Sequence, residues 1–128
     1  METLKVSKPA RIISYVLQAL VALMFLSGAV VNLLALDQAV DQVTQIGYPA
    51  SSIRFFGVVV LLMTILYLIP RTAVLGAIII TGYLGGAVAT HALNGDGIPQ
   101  HIFPIVFGVV VWLAIWLRDL RLRALLAI

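Results

Sequence analysis

Four long apolar stretches, separated by short polar breaks, account for most of the 128-residue chain. They contain no Asp, Glu or Lys, and Arg54, near the start of the second stretch, is the only arginine inside them. A helix needs about 17–25 apolar residues to cross the roughly 30 Å hydrocarbon core of a bilayer. The pattern therefore predicts an all-α transmembrane four-helix bundle, with spans at about residues 12–36, 53–69, 73–93 and 102–117.

The breaks between the stretches carry residues that end helices. Pro49 precedes the second stretch, Pro70 follows it, and the turn at residues 94–97 follows the third. In the first break, apolar residues recur at helical spacing over residues 37–46, which predicts a short interfacial helix in the first outer loop. The fourth stretch is the shortest, and we expect its helix to continue into the arginine-rich tail, with the arginines reaching towards the interface.

The distribution of basic residues predicts the orientation of the spans. Of the eight basic residues, seven fall on one side of a four-span arrangement, namely Lys5, Lys8, Arg11, Arg71, Arg118, Arg121 and Arg123. The positive-inside rule then predicts a multi-pass protein of the cytoplasmic (inner) membrane with both termini in the cytoplasm. The composition agrees, because 62% hydrophobic and 10% charged residues exclude an ordinary soluble domain. One membrane domain over residues 1–128 is expected.

A weak internal repeat links the two halves of the chain. Residues 28–30, Gly-Ala-Val, recur at 86–88, and residues 56–60, Phe-Gly-Val-Val-Val, recur at 107–111. Both pairs run in the same direction across the membrane, which indicates two tandem helical hairpins. The alternative is chance similarity in a sequence rich in valine, alanine and glycine.

Small residues predict where helices contact one another. Helices in lipid associate through close approach at small side chains, and the third span carries Gly82, Gly85, Gly86 and Ala89 on one side. We expect this face to contact another helix of the same chain, with dimerisation as the alternative. A second stripe, in the first span, should face the bundle and consists of Ser14, Gln18, Val21, Phe25, Gly28 and Asn32.

Polar residues gather at the predicted outer ends of the spans and form the candidate ligand-binding set. They are Asn32, Arg54, His91, Asp96 and His101. Ionisable residues at membrane depth are candidates for function. Arg54 could bind an anionic or carbonyl group, and His91 could donate a hydrogen bond or relay a proton. The alternative is that helix ends are where polar residues belong, with Arg54 paired to a nearby aspartate.

Several kinds of chemistry lack the residues they need. The chain has no cysteine, which removes thiolate nucleophiles, haem attachment and Cys-ligated clusters. Two histidines ten residues apart with one aspartate match no structural zinc spacing. No hydrolase nucleophile motif, phosphate loop or nucleic-acid-binding module is present in the sequence. We therefore expect no catalytic residue, no metal and no nucleic-acid partner.

One long block and several short ones point to a known family. The long block is residues 83–91, Tyr-Leu-Gly-Gly-Ala-Val-Ala-Thr-His. The short blocks are Ser27-Gly28, Gly47-Tyr48-Pro49, Ile69-Pro70-Arg71, Gly95-Asp96, Phe103-Pro104 and Leu117-Arg118-Asp119. Over about residues 11–123 the chain resembles the DoxX-like family of small four-helix membrane proteins. Many members of that family have a lysine where this chain has Asn32.

The resemblance implies a quinone- or redox-associated role, since the family name comes from a membrane subunit associated with archaeal thiosulfate:quinone oxidoreductase. A quinone or a partner protein would have to carry the electrons, and no covalently bound cofactor is expected. Three functions remain open. The first is a non-enzymatic accessory or scaffold subunit, the second is a binder of quinone or another lipophile, and the third is a small transporter or channel. Expected partners are the lipid bilayer, a redox-complex subunit or further copies of the chain in a homo-oligomer.

Overall fold

The computed structural model describes residues 5–126, which form helices joined by short connections. In chain order the helices are α1 (Lys8–Leu33), α2 (Asp37–Gln45), α3 (Ser52–Leu68), α4 (Ala73–Leu93), α5 (Ile98–Trp116) and α6 (Leu120–Leu125). Helices α1, α4 and α5 are long and apolar enough to cross a membrane. Helix α3 is also apolar but shorter, with 17 residues.

The fourth predicted span differs from the observed helix at both ends. Helix α5 begins at Ile98 instead of residue 102, because Pro99 occupies the first turn, where a missing N–H leaves no bond unmade. At its other end the predicted continuation into the tail is wrong. The helix ends at Trp116, and the Asp119 side chain accepts hydrogen bonds from the Arg121 and Leu122 N–H groups, which starts the separate helix α6.

The four longer helices pack in a ring in which α1 and α4 each contact both α3 and α5. Two glycines set the closest approaches. A Cβ atom at Gly76 of α4 would lie 2.4 Å from the backbone nitrogen of Tyr67, and one at Gly57 of α3 would lie 2.9 Å from the Leu33 side chain. At these two positions only glycine lets the backbones come this close.

The ring has two ends with different chemistry. The start of α1, the α3–α4 connection and the end of α5 lie together at what we call the basic end, which carries Lys8, Arg71 and Arg118. The end of α1, the start of α3, the end of α4 and the start of α5 form the histidine end, which carries His91 and His101. Helix α2 packs against α1 and α3 there.

The core lies between the four longer helices. Its largest fully buried side chains are Tyr67, Met63, Ile80, Val21, Val111, Thr64 and Ser14. The outward faces are apolar too, with exposed side chains that include Leu23, Phe55, Ile78 and Val109. An exposed apolar surface of this extent is typical of a protein that meets lipid.

The buried stripe predicted along the first span is confirmed over its first part. Ser14, Gln18, Val21 and Phe25 are all buried. Further along α1 the buried position is Ala29, one residue from the predicted Gly28. The cause is that an α-helix turns once in about 3.6 residues, so that a stripe spaced at 3.5 drifts around it.

The five small residues predicted to pack do not make the expected contact. They are Gly28, Gly82, Gly85, Gly86 and Ala89. Apart from the backbone of its own helix and its chain neighbours, a Cβ atom at any of the four glycines would meet no described atom within 4 Å, and Ala89 is exposed. The expectation that these glycines closely contact another helix of the same chain is therefore wrong. Dimerisation through this face stays a prediction.

Candidate binding site at the histidine end

The turn after α4 brings Asp96 back over His91. Gly95 has a positive φ of 67°, which few residues other than glycine adopt without strain. The Asp96 N–H then donates to the His91 carbonyl, and the Gly95 N–H donates to the Ala92 carbonyl. This is a Schellman motif. It places the Asp96 carboxylate 2.6 Å from the His91 Nδ1.

The turn after α2 has the same construction and orients Tyr48. Gly47 has a φ of 99°, and the Tyr48 N–H donates to the Val43 carbonyl. The Tyr48 hydroxyl lies 2.7 Å from the Thr90 hydroxyl of α4. Because the Thr90 hydroxyl donates its hydrogen to the Gly86 carbonyl, at 2.8 Å, the tyrosine is the donor between the two.

A cavity of about 270 Å³ lies between α1, the α2–α3 connection and α4. Its aromatic walls are Tyr48, Phe56 and Tyr83, with the Tyr48 and Phe56 rings edge to face at 4.9 Å. Gly82 and Gly86 form one side, and the space that a Cβ atom would fill there is open. The absent side chains at these glycines thus leave room for the cavity.

The polar groups on the cavity surface are few and distinct. Asn32 and His91 line the cavity. Within residues 5–126 the Asn32 amide makes no side-chain hydrogen bond, and the His91 ring bonds through Nδ1, which leaves Nε2 available. A mostly apolar cavity with a few polar groups is typical of a site for a small lipophilic molecule.

A neighbouring cavity of about 240 Å³ lies between α1, α4 and α5. It is lined by Phe25, Phe103 and Phe107 among others, and it shares Ala87 and His91 with the first cavity. The imidazole therefore stands between two apolar spaces. We refer to the first of these as the histidine-end cavity.

A family model described as the DoxX-like family matches residues 16–114. The chain belongs to the DoxX-like family. The matched region includes every residue that lines the histidine-end cavity. No curated protein and no solved structure matches the chain. Together with its apolar helices, the family assigns this DoxX-like protein to the membrane.

The structure brings together only part of the predicted polar set. Asn32 and His91 share one cavity, and Asp96 holds His91. Arg54 does not line this cavity, contrary to the expected convergence, because its side chain is exposed and its Nε donates to the Leu33 carbonyl at 3.3 Å. The Nδ1 of His101 lies 2.8 Å from the Gly97 carbonyl, also outside the cavity.

The alternative interpretation of Arg54 is not seen either. Within residues 5–126 the ion pair closer than 4 Å is the one between His91 and Asp96, and no carboxylate lies that close to Arg54. Sequence reasoning overlooked Tyr48, Tyr83 and Thr90 as cavity residues. Their position beside recognised features, the turn at Gly47 and the block ending in His91, was the available clue.

A second polar cluster, at the basic end of this DoxX-like protein, surrounds Arg118. Its guanidinium donates to the Ser14 hydroxyl at 2.8 Å and to the Gln18 side-chain oxygen at 2.6 Å, and lies 4.1 Å from the centre of the Tyr15 ring. Gln18 in turn donates to the Tyr67 carbonyl at 2.8 Å. Arg118 therefore turns into the bundle, instead of reaching away from it as predicted.

Proposed function

We propose that this DoxX-like protein binds a lipophilic small molecule of the quinone class in the histidine-end cavity. The observation that carries the proposal is the position of His91, which lines the cavity while its Nδ1 lies 2.6 Å from Asp96. A carboxylate on one ring nitrogen orients the imidazole and determines which nitrogen carries the hydrogen. The other nitrogen, Nε2, then has a defined protonation state when it meets a ligand.

The available groups match both forms of a quinone. In a neutral His91 whose Nδ1–H donates to Asp96, Nε2 can accept a hydrogen bond from a quinol hydroxyl. In a protonated His91, Nε2–H can donate to a quinone carbonyl. The Asn32 amide can donate or accept. Tyr48, Phe56 and Tyr83 offer apolar faces to a ring. A bound quinone would supply the electron chemistry, while these side chains bind and orient it.

We place this site within a four-span protein of the cytoplasmic membrane, with the histidine end outside and both termini in the cytoplasm. The 17 residues of α3 lie at the lower limit of about 17–25 for a span, and α3 packs between α1 and α4. The bias of basic residues gives the direction. Reporter fusions at residues 45 and 97 should both read external, and a cytoplasmic reading at either would overturn this topology.

We favour binding over transport because the middle of the bundle is closely packed. Met63, Thr64 and Ile80 are at most 1% exposed. These side chains lie between the histidine-end cavity and the basic end. A transported molecule would have to displace them, whereas a bound one would not.

The first test compares the two histidines in the purified protein. A short-chain benzoquinone is titrated while thermal unfolding is followed, so that binding is measured as a rise in melting temperature. We expect His91→Ala to weaken binding by at least about tenfold, since a hydrogen bond to a charged group contributes about 1.5–3 kcal/mol. His101→Ala is the matched control, because His101 lies outside the cavity. Equal binding by both variants would contradict the proposal.

The second test fills the cavity without removing a polar group. Gly86→Leu places a side chain in the open space beside His91, whereas Gly85→Leu faces the groove between α4 and α5. Quinone binding should be lost in the first variant and kept in the second. If both variants bind the quinone equally, the ligand lies elsewhere.

A second candidate function is that of an accessory subunit in a membrane redox complex. It is supported by the exposed face of α4, where Gly85 and Ala89 leave room for a helix from another protein to approach. Cross-linking in native membranes followed by mass spectrometry would identify the partner. Recovery of an oxidoreductase subunit that is lost in Gly85→Leu supports this role, recovery of the chain itself indicates a homo-oligomer, and recovery of neither contradicts it.

A further inference from the structure

A cavity of about 750 Å³ opens at the basic end, on the opposite side of the packed core from the histidine-end cavity. Five cationic side chains and one carboxylate line it, those of Lys5, Lys8, Arg11, Arg118, Arg121 and Asp119. The residues come from the segment before α1, from α1 itself and from the region where α5 gives way to α6. The fold thus collects cations that are about a hundred residues apart in the sequence.

The positive charge of this cavity is not neutralised by the described residues. Within residues 5–126 no carboxylate lies within 4 Å of any of the five cations. The carboxylate of Asp119 is engaged instead, because its Oδ1 accepts hydrogen bonds from the Arg121 and Leu122 N–H groups at 3.0 and 3.1 Å. A concave surface lined by one sign of charge focuses the field and attracts the opposite charge.

Arg118 gives the cavity a fixed hydrogen-bonding group. Ser14 and Gln18 each accept one of its hydrogen bonds, and the Tyr15 ring lies against it. A guanidinium has five N–H donors, so three remain for a ligand. Because the side chain is already held, little conformational entropy would be lost on binding, and its planar fork suits the oxygens of a phosphate.

The rest of the wall is apolar and includes Pro70, Ala73, Ile115 and Leu120. These residues lie at the ends of helices that carry apolar outward faces, so the cavity combines a charged mouth with a hydrocarbon-like side. A small soluble anion would gain nothing from contact with this apolar wall. The glycerol and first acyl carbons of a phospholipid would contact it, in the manner of basic pockets between membrane helices.

We infer that the basic-end cavity binds the phosphate group of an anionic phospholipid. The Arg118 guanidinium receives phosphate oxygens, and the flexible side chains of Lys5, Lys8, Arg11 and Arg121 close around the charge. Bound in this way, the lipid joins the N-terminal segment to the end of α5. This inference is independent of quinone binding, which concerns the other end of the bundle.

The experiment uses the full chain purified in neutral detergent. Phosphatidylglycerol, phosphatidylcholine or inorganic phosphate is added, and binding is measured by native mass spectrometry and by the melting temperature. We expect phosphatidylglycerol alone to bind at one tight site. Arg11→Gln and Arg121→Gln should each weaken that binding by about fivefold, the effect typical of one basic residue near an anionic headgroup.

The matched control is Arg71→Gln, which removes a cation from the same end but not from the cavity. This variant should bind phosphatidylglycerol as the unmodified protein does. An equal loss in Arg71→Gln would show diffuse attraction without a site and overturn the inference. So would equal binding of phosphatidylcholine, or equal stabilisation by inorganic phosphate, which would indicate a soluble anion. The melting temperature without lipid shows that each variant is folded.

Discussion

The carboxylate of Asp96 lies 2.6 Å from the ring nitrogen of His91, five residues earlier in the chain. Helical geometry alone does not produce this contact, because α4 ends at Leu93. It arises where the left-handed Gly95 reverses the chain and returns it over the last turn. The side chain that we propose as the ligand-binding group is thus held by the turn that follows its helix.

The pairing predicts that Asp96 acts on ligand binding through His91. Asp96→Ala should weaken binding of a short-chain benzoquinone by up to about tenfold, because His91 would no longer be held in position for its own hydrogen bond to the ligand, which contributes about 1.5 kcal/mol. Asp41→Ala is the control, because Asp41 is exposed on α2 and does not line the cavity. The thermal-shift titration measures both. Unchanged binding in Asp96→Ala would show that the carboxylate plays no part in ligand binding.

Two glycines of α4 should respond in opposite ways to the same substitution. Gly76→Ala places a Cβ atom 2.4 Å from the Tyr67 nitrogen and should lower the free energy of unfolding by about 1–3 kcal/mol. Gly86→Ala meets no described atom of another helix within 4 Å and should raise it by up to about 1 kcal/mol, because alanine favours helix. Denaturation in detergent compares them. Destabilisation by Gly86→Ala would indicate a close helix contact at Gly86.

The end of α1 contains a position that should be improved by glycine. Ala35 has a positive φ of 50°, and its N–H donates to the Asn32 carbonyl in the same motif that ends α2 and α4. A left-handed residue other than glycine costs about 1–2 kcal/mol. Ala35→Gly should therefore raise the free energy of unfolding by about 1 kcal/mol. The same change at exposed Ala19, within α1, should lower it by about 1 kcal/mol.

The extent of the helices could be read from the sequence because a bilayer imposes a length on apolar stretches. The predicted third span, residues 73–93, coincides with α4, and the helix predicted at residues 37–46 differs from α2 by one residue. The two ends of α5 could not be predicted as well from hydropathy. A proline in the first turn and an aspartate that begins a new helix depend on local hydrogen bonds, which hydropathy does not record.

The sequence predicted at which end of the bundle the candidate site residues lie, but not where their side chains point. Sequence position places Asn32, Arg54 and His91 near one end, yet the direction of each side chain depends on how its helix is rotated in the ring. For Asn32 and His91 that rotation faces the cavity, and for Arg54 it does not. The prediction that Gly82, Gly85 and Gly86 of α4 contact another helix closely is wrong for the same reason. Small residues permit a close contact without requiring one.

The two serines of α1 provide a test of the buried network. Ser14 is fully buried, donates to the Ala114 carbonyl and accepts from Arg118, whereas exposed Ser27 donates to the Met24 carbonyl of its own helix. Ser14→Ala should lower the free energy of unfolding by about 1–3 kcal/mol. Ser27→Ala should change it by less than about 0.5 kcal/mol. Similar values for both would show that the Ser14 bonds contribute little.

The bond from Ser14 to the Ala114 carbonyl also bears on biogenesis. It joins residues 100 positions apart, so α1 leaves the ribosome well before α5 supplies the partner of Ser14. Until then Ser14 must remain near water, the insertion machinery or a chaperone, because an unpaired polar group is unfavourable in hydrocarbon. Insertion of α5, followed by Arg118, supplies both hydrogen-bond partners of Ser14. We therefore expect a chain truncated before residue 114 to be degraded by membrane quality control.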